Sequence, residues 1–320
     1  MAYEAAASRA LVPFGLGGGD LSLVSISENV TFKVTAGRPQ ESYVLRLHRP
    51  GYHSIDELDS ERVWLAALEA AGISVPHPLP AEDGRFYLPV EIPAADEIRY
   101  AGLSRWVDGE VVGELSDVSR YFSQLGSLMA TMHDQASAWT PPPTFRRHNL
   151  DVGGLLGDAP FWGPFWEHPE LTAAERQLLI STRDRFRPAL ARYGCRPQTF
   201  SMIHADLHLA NLLVDGDNLS VIDFDDAGFG WHQYDMAVAL FDSRDRSGLA
   251  DNEQAFLDAY RSIRPMTDTD LGLLPMFELI RGMALIGWKH QRPEVKWPTR
   301  RFDEHKARVL DLCTTFETPD

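Results

Sequence analysis

Cysteine is nearly missing from this 320-residue chain: only Cys195 and Cys313 occur, with no CxxC spacing and no histidines clustered around them. That scarcity excludes a thiolate metal site and a disulfide framework, and it fits a reducing cytoplasm. Positive charge is also short, with 30 Lys and Arg against 46 Asp and Glu and a formal net charge of -16. Tracking a nucleic-acid backbone or an anionic membrane needs clustered Lys and Arg, so neither partner is expected. No uncharged apolar run approaches a membrane span, and the opening MAYEAAASRALVPFGLGGG lacks the basic and apolar regions of an export signal. Neither export nor an anchor is expected. Phosphate-loop glycines are absent as well: Gly15 to Gly19 precede the first strand and lack a GK[ST] ending, so they read as a flexible turn. No internal repeat is present.

What is there describes an ordinary globular chain, long enough for two lobes sharing a cleft. LSLVSI, VTFKVTA and YVLRLHR, between residues 21 and 48, read as an antiparallel meander. A helix is expected from about Ile55 to Ala71, with an apolar stripe through Leu58, Leu65 and Leu68 and a stop at Gly72. RFYLPV and GLSRWV supply further strands. After Asp108-Gly109 the pattern turns mainly helical, which sets the expected boundary: residues 1–108 as one lobe and 109–320 as the other. Residues 137 to 170 are rich in Pro, Gly and aromatics (WTPPPTFRR, then APFWGPFWEHPEL) and too long for a simple connection.

The informative segment is SMIHADLHLANLLVDGDNLSVIDFDDAGFG, residues 201 to 230. His204-x-Asp206 is followed by Asn211 five residues after the Asp. The run LSVI then leads into Asp223-Phe224-Asp225. Phosphoryl transfer asks for this set: a carboxylate accepts the substrate hydroxyl proton while an Asn and a second carboxylate hold magnesium against nucleotide phosphates. Hard oxygen ligands suit magnesium. The strands NLLV and LSVI, joined by Asp-Gly-Asp-Asn, carry Asp223 back toward the loop that holds Asp206 and Asn211.

HADLHLAN followed by IDFDD resembles the catalytic and metal loops of the aminoglycoside phosphotransferase family, which typically reads HGDLHPGN and then IDFDD or IDWE. The HxDLHxxN and IDFDDAGFG wording, with RGMALIGWKHQR, is most similar to its homoserine-kinase-like and stress-response-kinase-like group. The resemblance implies an α+β, bilobal, protein-kinase-like fold with an antiparallel sheet and one helix in the first lobe and a mainly helical second lobe. It implies ATP and Mg as cofactors, Asp206 as the base, Asn211 and Asp223 as metal ligands, and His204 as a support of the loop. Asp225 is read either as assisting the metal or as a capping residue. Asp235, in QYDMAVAL, resembles the helix Asp that supports the catalytic loop from below.

On the same resemblance, Arg46, alternating with Leu45 and Leu47, matches the third-strand cation on nucleotide phosphates. Glu61, a carboxylate on the helical stripe, is its expected ion-pair partner, with Glu57 as the alternative. Between the first two strands SISENVTF replaces a glycine loop, and Ser27, Glu28 and Asn29 stand where backbone amides would hold phosphate. Trp106, in LSRWVDGE, matches the interlobe segment beside adenine. His208 and His232 read as hydrogen-bonded loop residues, and Lys289, His290, Arg292 and Lys296 as a solvated helix end.

The expected activity is transfer of the γ-phosphoryl group of ATP to a hydroxyl of a small molecule such as an aminoglycoside or amino alcohol. Residues 137 to 170 and the helix around Phe277 to Trp288 are where its pocket is expected. A protein Ser/Thr kinase and an inactive nucleotide-binding regulator are the alternatives. The short stretch after Asp225 disfavours the first of these, and the presence of Asp206, Asn211 and Asp223 disfavours the second.

Overall fold

The structure, a computed structural model, describes residues 2–27, 29–241, 243, 248–295 and 299–316. The chain divides into two compact units.

The first comprises Met1–Glu110, Pro141–Arg147 and Leu213–Ile222. It opens with α1 (Ala2–Ala10), followed by β1 (Asp20–Ile26), β2 (Val30–Ala36), β3 (Glu41–Leu47), α2 (Ile55–Ala70), β4 (Pro78–Leu79), β5 (Tyr87–Ile92) and β6 (Glu97–Arg105). The strands form an antiparallel sheet in the order β1-β2-β3-β6-β4, with β5 also paired to β6. Strict alternation builds it: Val30, Phe32 and Val34 of β2 and Tyr43, Leu45 and Leu47 of β3 point into one core. The register sets Arg46 opposite Thr31 on one side and Gly102 on the other. Helix α2 begins at a capping box between Ser54 and Glu57, and it buries Leu58, Glu61, Trp64, Leu65 and Leu68 on one face. Helix α1 falls in the opening segment that the sequence reading left without structure. Its Ala6, Ala7 and Ala10 are buried in the sheet core, so tertiary burial holds a helix whose own pattern is weak.

The second unit comprises Val111–Thr140, His148–Leu212 and Asp223–Asp320. A short strand, β7 (Glu110–Val111), precedes α3 (Ser119–Ala138), β8 (Asn149–Leu150), α4 (Val152–Leu156), α5 (Ala173–Tyr193) and β9 (Phe200–Ile203). The hairpin β10 (Leu212–Asp215) and β11 (Asn218–Val221) follows in the chain and, beyond Leu212, belongs to the first unit. Beyond it come β12 (Gly228–Trp231), α6 (His232–Phe241), α7 (Leu249–Ile263), α8 (Asp268–Gly272), α9 (Leu274–His290) and α10 (Thr299–Thr315). The α+β class expected from the sequence is the one observed. A linear boundary has no way to express the return of residues 141–147 and 213–222 to the first unit. Those returns are set by long-range pairings, such as Ser74 Oγ with Ser220 Oγ at 2.7 Å.

The stretch Asp268–His290 is long and apolar enough to cross a membrane, which the sequence reading did not anticipate. Of its most apolar window, 72 % is buried inside the fold, the property of a core helix. One contact fixes α9 closely: a methyl on Gly287 would lie 2.4 Å from the Gly163 carbonyl oxygen, so the two backbones touch. Gly163, within the 137–170 segment, and α9, the two places where a pocket is expected, are therefore neighbours. Alanine is ordinarily the better helix former by about 1 kcal/mol, yet Gly287→Ala is expected to lose about 1–3 kcal/mol in urea unfolding through overpacking. An unchanged midpoint would show that the backbones do not meet.

Candidate active site

The second unit brings the motif residues together through one register. Strands β9 and β12 pair antiparallel with Ile203 opposite Gly228. The loop starting at His204 therefore lies beside the segment ending at Ala227. The His204 and Phe224 rings meet at 4.5 Å between centroids, which sets Asp223-Phe224-Asp225 against the His204-to-Asp206 loop. Glycines make this pairing possible: a Cβ on Gly230 would stand 2.5 Å from Ile203 Cδ1, and one on Gly228 would stand 2.6 Å from His148 Nε2.

Asp206 is held from several directions. Arg281 Nη2 donates to its Oδ1 at 2.7 Å. Asn211 Nδ2 donates to its backbone oxygen at 2.9 Å and to Oδ2 at 3.2 Å. His208 Nε2 stands 3.6 Å from Oδ2. Desolvation raises the pKa of this carboxyl, but His208, Arg281 and His204 outweigh it and hold the group below its ordinary value. Asp206 is thus an anion at neutral pH, the form a proton acceptor requires. His204 accepts from the Asp206 N–H at Nδ1, 3.3 Å away, so its ring supports the loop.

A buried polar network supports the loop. Asp235, fully buried on α6, accepts from the backbone N–H groups of His204 at 3.2 Å and Ala205 at 2.8 Å. This fixes Ala205 in a left-handed conformation, φ 64°, at a position where the resembled family has glycine. Asp223 is also left-handed, φ 67°, a conformation Asp tolerates better than most residues. His133 Nε2 lies 3.1 Å from Asp235 Oδ2 and its Nδ1 lies 2.8 Å from the Tyr260 hydroxyl. Burial keeps His133 neutral, its pKa well below the ordinary value. The fitting tautomer donates Nε2–H to Asp235 and accepts the Tyr260 O–H. His232 stacks on His133 at 4.2 Å, and its Nε2 lies 2.8 Å from Ser201 Oγ. It is a hydrogen-bonded structural residue.

These groups predict a pH dependence of folding. Burial keeps His133 and His232 well below their ordinary value, and burial with the nearby His290 and Lys289 lowers His168 to about 4. Below about pH 6.5 the unfolded chain protonates all three while the folded chain resists, so folding weakens as pH falls. Asp235 works in the opposite sense: burial raises it to about 6, so its stabilising contribution is full at low pH and is lost as pH rises through about 6. At pH 5 the unfolded chain then binds about two more protons than the folded one, a slope of about 3 kcal/mol per pH unit. Urea unfolding between pH 5 and 6.5 should show stability rising with pH, and a flat or falling profile would contradict this account.

In the first unit, Glu61 is buried on the apolar face of α2 and meets Arg147 Nη1 at 3.5 Å. Arg147, which also donates to the Glu57 carbonyl at 3.3 Å, is a partner the sequence reading did not foresee. Arg46 is half-buried on β3. Burial and Glu61 raise the Tyr87 phenol while Arg46 and Arg147 oppose them, so these charges share one neighbourhood around Tyr87. Asn29 is buried, and its Oδ1 accepts from the Arg49 N–H at 2.9 Å. The Ser27 N–H bonds the Asn29 carbonyl at 3.0 Å, tightening the turn between β1 and β2. Glu28 and Lys296 lie outside the described residues. Trp106 is half-buried with Lys33 Nζ 4.2 Å from its ring centre.

Three participants escaped sequence reading: Arg281, His133 and Arg147. Arg281 had a signal, since it is a lone cation inside the apolar run LPMFELIRGMALIGW and a buried charge needs a partner. His133 and Arg147 carried none.

The model of the phosphotransferase enzyme family matches residues 21–266, and the chain belongs to that family. The solved structure of the microcompartment-associated aminopropanol kinase is 33 % identical with a TM-score of 0.85, covering 97 % of this chain and 96 % of that one. A homoserine kinase from Agrobacterium fabrum is 30 % identical over 227 residues, 68 % of this chain and 63 % of its own length. A solved amicoumacin kinase in complex with AMP-PNP, Ca2+ and Ami has a TM-score of 0.81 at 18 % identity, over 98 % of this chain and 95 % of that one. The fold is protein-kinase-like, and the chain is a kinase-type phosphotransferase for hydroxyl-bearing small molecules.

Proposed function

We propose that the chain uses ATP and magnesium to phosphorylate the hydroxyl of a small amino alcohol, with Asp206 as the base. The observation that carries this reading is the Asp206 carboxylate, kept ionised and tied through Asn211 Nδ2 to the residue expected to hold metal. Asn211 commits its amide nitrogen to Asp206, which leaves its Oδ1 for a cation. With the carboxylates of Asp223 and Asp225 it would supply an all-oxygen donor set of the kind that fits magnesium. When bound, magnesium neutralises charge developing on the phosphate oxygens.

In this reaction the acceptor oxygen bonds to the γ-phosphorus. The bridging P–O bond breaks with its electron pair leaving on ADP, and the hydroxyl proton passes to Asp206. Arg46 and the Ser27–Asn29 turn are the proposed contacts for the nucleotide phosphates, Glu61 the partner that steadies their surroundings, and the backbone near Trp106 the adenine contact. A small acceptor is favoured over a protein because β12 follows Asp225 within three residues and is paired on both edges, to β9 and β8. That leaves little room between Asp225 and β12 for a segment that docks a peptide. An amino alcohol is favoured by the similarity to the aminopropanol kinase.

The test is a phosphate-transfer screen over 1-amino-2-propanol, ethanolamine, homoserine, aminoglycosides and a generic protein, with ATP and magnesium present or withheld. Metal-dependent transfer to an amino alcohol is expected. Labelling of the protein substrate alone would overturn the acceptor, and turnover without a divalent ion would overturn the metal.

A further inference from the structure

We propose that Arg281 is a positioning residue for phosphoryl transfer, holding Asp206 by one carboxylate oxygen so that the other faces the acceptor hydroxyl. The inference rests on the reading of Asp206 as the base.

The two oxygens of Asp206 are bonded unequally. Oδ1 receives a short, charge-assisted bond from Arg281 at 2.7 Å, whereas Oδ2 has the longer approaches of Asn211 Nδ2 at 3.2 Å and His208 Nε2 at 3.6 Å. A guanidinium keeps its proton under all working conditions, so the Oδ1 bond is permanent. Basicity concentrates on the more weakly bonded Oδ2. The arrangement suits a loose phosphoryl-transfer transition state, in which orienting the hydroxyl matters more than a strong base.

Arg281 is itself held rigidly. It is 4 % exposed on a helix clamped at two glycines: a Cβ on Gly282 would stand 2.9 Å from Val309 Cγ2, and one on Gly287 would stand 2.4 Å from the Gly163 carbonyl oxygen. The Tyr234 ring stacks on Trp162 at 5.6 Å; burial raises its phenol pKa, and the Arg281 charge opposes that rise. Trp162 Nε1 in turn donates to Asp226 Oδ2 at 3.2 Å. The aromatic segment thus packs on Tyr234, whose phenol shares the electrostatic neighbourhood of Arg281 and Asp206. A merely structural ion pair would not need to end on the one carboxylate assigned to the chemistry.

The experiment compares full-length wild type with R281K, R281Q, R281M, D206N and the R281M/D206N double variant. Steady-state kinetics use ATP, magnesium and 1-amino-2-propanol, alongside thermal unfolding. R281Q should lower kcat by about 100-fold, with KM for ATP changed by no more than about threefold, as expected when a reacting group is misplaced by about 1 Å. R281K, which keeps the charge and loses the fork, should recover about tenfold of that loss. R281M should melt lower by about 5 °C, and adding D206N should recover part of that shift because the unpaired carboxylate is gone. A folded R281Q with unchanged kcat, a loss confined to KM, or strictly additive melting shifts would overturn the inference while active wild type leaves the functional reading standing. Wild type that phosphorylates none of the screened acceptors overturns that reading and this inference with it.

Discussion

The Asp206→Asn protein is expected to fold, to bind ATP, and to transfer phosphate about 10³-fold more slowly than wild type. Asparagine keeps the shape of the side chain and still offers an oxygen to Arg281, so the loop geometry survives. It has no basic oxygen to take the acceptor proton and no negative charge to balance the guanidinium. A modest fall in melting temperature should accompany the loss, because Arg281 is left without its counter-charge. Measuring kcat, the ATP dissociation constant and circular dichroism on the same preparation separates chemistry from misfolding. A variant that turns over within tenfold of wild type would remove Asp206 from its role.

Asp235→Ala should have the largest effect on stability. The side chain is fully buried and serves three donors: two backbone N–H groups of the catalytic loop and His133. Each buried donor left without a partner costs about 1–3 kcal/mol, so the three together cost about 3–9 kcal/mol. The consequence extends to activity. Ala205 is held in a left-handed conformation that disfavours an L-residue by about 1–2 kcal/mol, and the 2.8 Å bond to Asp235 is what holds it there. Once released, the loop would carry Asp206 away from its position, and kcat should fall by about 100-fold or more. Asp235→Asn retains one acceptor and should fall between the two. A urea midpoint for Asp235→Ala equal to that of wild type would contradict the network.

Much of the first unit was legible because its strands alternate cleanly and α2 begins at a Ser54-to-Glu57 capping box. The strand runs and the expected helix match β1, β2, β3 and α2 closely. Helix α1 was not legible, since AYEAAASRA carries little amphipathic signal and is helical only because the sheet covers it. The candidate-site segment was legible because its spacing is local: Asn211 stands five residues after Asp206, and one hairpin separates Asn211 from Asp223. Partners were not legible. Arg281 lies 75 residues from Asp206, His133 lies 102 from Asp235, and Arg147 belongs to a loop that returns to α2.

Sequence by itself determined which chemistry the chain carries, because reactive side chains on one short loop keep their spacing whatever surrounds them. Tertiary structure alone decided how those groups are charged, supported and aimed. Burial sets their protonation, and the residues that desolvate or pair with them arrive from distant helices whose positions follow from packing and from no local pattern.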